Sequence, residues 1–69
     1  MTPDESFRAT MVARNPDGEV VTAIVTKKGL GRDSRMWLTL DGGWRTTLVM
    51  TPAQTDELTG LLKAARDAA

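Results

Sequence analysis

Nucleophilic catalysis needs a serine, threonine or cysteine set beside a base. This chain has only two serines, Ser6 and Ser34, and neither histidine nor cysteine. Paired-carboxylate chemistry needs two acids converging in a cleft. Asp17, Asp33 and Asp41 fall in predicted turns, where aspartate has ordinary turn chemistry to perform. Asp56 and Glu57 are adjacent in a predicted helix and so point to different sides of it. The missing cysteine excludes disulfides and thiolate metal sites, and the missing histidine removes the commonest transition-metal ligand. No enzymatic activity, no metal and no cofactor is expected.

The basic residues are the remaining chemistry. Lys27, Lys28, Arg32 and Arg35 stand against Asp33, a local net of +3 within nine residues, and Trp37 follows two positions later. Such a cluster can grip phosphates while a base stacks on the indole. The plainer reading is a solvated hairpin loop, favoured because the whole chain is neutral, nine bases against nine acids. Gly29-Leu30-Gly31 starts like a phosphate-cradling loop, but it precedes a strand and lacks the third glycine of that motif.

These residues need elements to hold them, and the pattern supplies five. Phe7, Ala9, Met11 and Ala13 alternate with Arg8, Thr10, Val12 and Arg14, the period-2 signature of a half-buried strand. Asn15-Pro16-Asp17-Gly18 is a type I turn sequence. Glu19 to Lys27 is rich in β-branched residues and makes the return strand. The aperiodic segment from Lys27 to Ser34 reads as a mobile loop. A third strand from Arg35 to Leu40 and a fourth from Trp44 to Met50 flank the short connection Asp41-Gly42-Gly43. Thr51, Pro52 and Gln54 then mark a helix start with a capping box, and Leu58, Leu61, Leu62 and Ala65 form one apolar stripe. Gly60 interrupts that helix at a cost of about 1 kcal/mol relative to alanine.

The expected fold is therefore α+β: a four-stranded antiparallel sheet of two hairpins, followed by one C-terminal helix packed on one face. It fills a single domain over residues 1–69, with 1–5 as a flexible tail. A chain of 69 residues hides only about 60% of its unfolded surface. Small domains supplement such a core with disulfides, metals or self-association, and here only the last is left. Phe7, Met11, Met36, Leu38, Leu40, Trp44, Leu48 and Met50 form the natural bed for the helix stripe. The opposite face carries Val12, Ile24, Trp37 and Val49, and exposed apolar patches of that kind usually mark contacts.

The C-terminal half resembles a known family. Residues 38–63 run strand, Asp-Gly turn, strand, threonine cap and helix, with Leu58, Gly60, Leu62 and Lys63 in a Leu-x-Gly-x-Leu-Lys pattern. This is similar to the N-terminal dimerisation domain of the actinobacterial nucleoid-bridging protein, which implies self-association through strands. The strand order and the junction of Leu48, Thr51, Pro52 and Gln54 are also similar to positive-cofactor-four-like single-stranded-DNA-binding proteins. That resemblance implies a dimer that binds strands on its sheet surface.

Taken together, the expectation is a small, cytoplasmic, non-enzymatic homodimeric interaction module of regulatory type. It would bind a protein partner through the sheet face bearing Val12, Ile24, Trp37 and Val49. The second reading is a nucleic-acid-binding dimer using Lys27, Lys28, Arg32, Arg35 and Trp37. No membrane partner is expected, because no stretch approaches the roughly 20 apolar residues of a span.

Overall fold

A computed structural model describes residues 5–69. Strands β1 (Glu5–Arg14), β2 (Val20–Lys28), β3 (Arg35–Asp41) and β4 (Arg45–Met50) form one antiparallel sheet in sequence order, and helix α1 (Pro52–Asp67) follows. The expected α+β class, strand order and terminal helix are all present, and the helix touches the sheet. Residues 1–4 of the expected tail lie outside the described residues, whereas Glu5 already belongs to β1. Among the described residues, no helix is long and apolar enough to cross a membrane.

The first hairpin closes as its turn chemistry dictates. The Gly18 amide donates to the Asn15 carbonyl at 2.9 Å, and Gly18 takes the left-handed φ of 85°. The Asn15 side-chain oxygen accepts from the amides of Asp17 and Glu19 at 3.0 and 2.9 Å. The segment before β3 is more ordered than its glycines suggest. Gly31–Asp33 forms a 3-10 turn, and Ser34, 2% exposed, donates its hydroxyl to the Gly31 carbonyl at 2.7 Å. At Gly29, with φ 83°, a Cβ would sit 2.9 Å from the Asp33 carbonyl oxygen. The expectation of a mobile loop is thus replaced by a small hydrogen-bonded knot.

Register assigns the two faces, because residues directly opposed across antiparallel strands share a face. One face reads, row by row, Phe7, Lys27, Met36, Met50; then Ala9, Val25, Leu38, Leu48; then Met11, Ala23, Leu40, Thr46; with Ala13 and Val21 at the hairpin end. Seven of the eight residues expected in the helix bed lie on this apolar face, and the eighth, Trp44, falls in the connection before β4. The other face reads Arg8, Thr26, Trp37, Val49; then Thr10, Ile24, Thr39, Thr47; then Val12, Thr22, Asp41, with Arg45 beside it. Asp41 ends β3 rather than sitting in the turn, and the connection proper is Gly42-Gly43-Trp44.

Helix α1 starts as its sequence requires. The Gln54 amide donates to the Thr51 hydroxyl, and the Thr51 amide donates to the Gln54 side-chain oxygen, at 3.2 and 3.0 Å. Only one residue, Thr51, separates β4 from the helix, and its backbone is extended (φ −70°, ψ 164°). Its main contacts with the sheet are to β3 and β4, and Thr55 and Leu58 in its first turns are half-buried. From Thr59 onward every helical residue is exposed. The helix therefore leaves the sheet near its own start and covers little of the apolar face.

Packing within one chain is correspondingly thin. Val21, at 7% exposure, is the only buried apolar residue among those described. Met11 on the sheet remains 60% exposed and Leu62 on the helix 64%. The radius of gyration is 13.5 Å, against about 11 Å for a compact domain of this length. The accessible surface is 5456 Å², some 1,200 Å² above the roughly 4,250 Å² expected of a folded monomer of 7.5 kDa.

Candidate functional site

Two surfaces compete as the site, and they differ in kind. The apolar face carries a single charge among the described residues, Lys27 at its edge. Phe7, Met11 and Leu48 are exposed on it, Trp44 is exposed in the connection before β4, and Leu61 and Leu62 are exposed on the helix. An apolar area this continuous is rare on a free monomer.

The opposite face is cationic and threonine-rich. Five cations, Arg8, Arg14, Lys28, Arg35 and Arg45, share it with two carboxylates, Glu5 and Asp41. At its centre is a shallow depression of about 180 Å³ lined by Arg8, Ile24, Thr26, Lys28, Trp37, Thr39 and Arg45. Thr26 is buried in its floor, flanked in register by Arg8 on one side and Trp37 on the other. The Lys28 ammonium lies 4.1 Å from the centroid of the Trp37 ring, reached diagonally across the β2–β3 pair. Thr39 and Thr47, directly opposed, share a hydroxyl hydrogen bond of 3.0 Å.

Two of these cations are held by acids. The Arg8 guanidinium meets Glu5 at 2.6 Å, and Arg45 meets Asp41 at 2.9 Å. Of the two pairs, Arg45–Asp41 is exposed on both sides and contributes only about 0–1 kcal/mol, whereas the Glu5 side chain is 6% exposed beneath Arg8. Their structural effect is to steady the guanidinium groups at the rim of the depression, still more than half exposed.

The expected basic cluster does not assemble as one site. Lys27 and Lys28 are consecutive in a strand, so they point to opposite faces. Arg35 spends its guanidinium on the carbonyls of Arg32 and Ser34, at 3.1 and 2.8 Å, and so braces the knot before β3. Arg32 is exposed on the 3-10 turn. Of the five residues proposed for binding, only Lys28 and Trp37 meet in the depression. Arg8, Thr26, Thr39 and Arg45 join them and were not singled out from the sequence. The alternation of β1 places Arg8 and Arg14 together, but only the strand register sets them on the side of Trp37.

The four residues expected to form a contact face, Val12, Ile24, Trp37 and Val49, do share a face. They were selected on the premise that the helix covers the other side. It leaves that side open, so the larger uncovered apolar area is the one bearing Met11, Leu38 and Leu48.

Three side chains of catalytic type are engaged structurally. Ser34 is sealed in its turn, and Glu5 and Asp41 hold arginines. Among the described residues, no three histidine, cysteine, aspartate or glutamate side chains gather to hold a metal. Searches of protein-family models, curated proteins and solved structures find nothing that matches this chain.

Proposed function

We propose that this protein is a non-enzymatic homodimeric binding module, which self-associates through its apolar sheet face and presents the cationic face to an acidic protein partner. The observation that carries this reading is the polarisation of the sheet. Alternate residues of the same strands build one face almost free of charge and another with a cationic excess around Trp37. Self-association supplies the core that a single chain lacks, since among the described residues only one apolar side chain is buried within it. The surplus surface of about 1,200 Å² per chain exceeds the roughly 800 Å² per partner of a standard interface. Both resemblances drawn from the sequence imply dimers as well.

The cationic face selects the chemistry of the partner. Arg8, Lys28 and Arg45 ring the depression, and acidic side chains complement them without burying a large apolar area. A second reading is favoured by one specific observation, the indole of Trp37 beside three cations. Single-stranded nucleic acid would use the same groups, with phosphates on the cations and a base on the ring.

Light scattering on a size-exclusion column, at low and high salt, tests the dimer. A mass of about 15 kDa, twice 7.5 kDa, at both salts is the expected result, and a monomer at both overturns the reading. Titration with polyglutamate and with a single-stranded oligonucleotide, followed by tryptophan fluorescence, separates the two partner classes. Saturable binding of polyglutamate alone, lost in Arg8→Glu/Arg45→Glu, favours the protein partner. Oligonucleotide binding that falls steeply with salt and disappears in Trp37→Ala favours the second reading.

A further inference from the structure

We infer that the dimer is helix-exchanged: α1 of each copy lies across the apolar sheet face of the other. This rests on the dimer reading above and adds which surfaces meet. Each chain carries two apolar surfaces, the sheet face around Met11, Leu38 and Leu48 and the helix stripe of Leu58, Leu61 and Leu62. They are complementary in character, and within one chain Leu58 is half-buried while Leu61 and Leu62 are exposed.

The reason they do not close on each other lies at the junction. Thr51 is the whole connection between β4 and α1, and its hydroxyl and amide are both committed to the capping box. The box holds Thr51 in its extended conformation, and without it two donors at the helix start would lose their partners. With only this one residue between strand and helix, the stripe beyond Leu58 finds no cover within its own chain.

A second copy has the right dimensions. The exposed part of the helix, Thr59 to Asp67, together with the turn before it, spans roughly 18 Å at 1.5 Å per residue. Four strands at about 4.8 Å spacing are roughly 19 Å across, side chains included. One stripe therefore bridges the breadth of one sheet. Two such contacts related by a two-fold axis hide both sheet faces and both helices, and leave the two cationic faces outward.

Complementation tests the exchange. Leu48→Asp spoils the sheet face and Leu62→Asp spoils the helix stripe, so each homodimer has two damaged contacts. In an exchanged heterodimer, the sound helix of one chain meets the sound sheet of the other, and one contact is whole. The two variants are expected to be monomeric or unfolded alone and, when refolded together, to yield a species of about 15 kDa, twice 7.5 kDa, with restored circular dichroism. A mixture no better than its components, or wild-type dimers from either variant alone, overturns the exchange. Because the chain has no native cysteine, a second test avoids destabilised variants. Chains carrying Leu62→Cys or Met11→Cys, refolded together and treated with a flexible bismaleimide, are expected to cross-link between the two chains. A dimer by light scattering that gives no such cross-link overturns the exchange and leaves the dimer standing. A monomer overturns both.

Discussion

The two faces of this sheet are written by alternate letters of the same four strands, and they meet opposite physical demands. On one, Ala9, Val25, Leu38 and Leu48 line up across the strands; on the other, one step along, Arg8, Thr26, Trp37 and Val49 do so. The first has almost no polar atom with which to hold water. The second meets water through threonine hydroxyls, arginine heads and a lysine that shields the indole. The difference teaches that an apolar face is informative only when something is known to cover it. Here the chain's own helix does not, so the face becomes evidence about a second molecule.

The strongest way to break this comparison is to place one charge on each face. Leu38→Asp is expected to cost at least about 3 kcal/mol and to abolish the dimer, because the carboxylate would be buried at the centre of the contact. Val49→Asp, on the cationic face, is expected to stay within about 0.5 kcal/mol, since the residue is exposed there. Denaturant melts with light scattering read both, and equal effects would erase the distinction between the faces.

A smaller loss is expected where the β3–β4 connection closes over the buried side chain of Val21. A Cβ at Gly42 would stand 2.9 Å from Val21 Cγ2 and 3.0 Å from the Val20 carbonyl oxygen. Gly42→Ala should cost about 1–3 kcal/mol by overpacking, measured as a shift of the denaturation midpoint. A wild-type midpoint would mean that the turn relaxes freely, and that Val21 anchors nothing.

Next in size is the helix cap. Thr51→Ala removes the acceptor for the Gln54 amide and should cost about 1 kcal/mol. Thr51→Ser, which keeps the hydroxyl, should cost a few tenths at most, and far-ultraviolet circular dichroism during thermal melting separates them. In the exchanged dimer the alanine variant should also loosen association. Loss of helicity with no change in association would separate the cap from the contact.

The smallest effect belongs to the rim of the cationic depression. Arg45→Ala and Asp41→Ala, alone and together, should give a coupling energy below about 1 kcal/mol that shrinks with salt. A coupling several times larger would mark the pair as part of a buried network. It would then be inconsistent with an open, cationic surface.

Much of the fold is local, and so it could be read from neighbouring residues. Asn15-Pro16-Asp17-Gly18 holds its turn with its own side chain and a left-handed glycine. Thr51 and Gln54 cap the helix through bonds three residues apart. Period-2 alternation separated Met11 and Leu48 from Val12 and Val49 without any knowledge of pairing. Less of the candidate site was legible. Lys27 and Lys28 look like one cluster as sequence and part to opposite faces as structure, because a strand turns each successive side chain over. Arg8 and Arg45 lie 37 positions apart in the chain, and only the register of three strand pairs sets them around Trp37.

By itself, then, the sequence determined the first turn and the helix cap, whose hydrogen bonds close within a few residues, and the alternation of faces along β1, β3 and β4, but not the 3-10 turn before β3. Only the tertiary structure decided which strand's faces align, which cations converge, and that the helix leaves its own sheet uncovered. The physical reason is range. Turns and caps are settled by bonds between near neighbours, whereas a covered face is settled by the angle at one junction residue, Thr51, multiplied along the length of a helix.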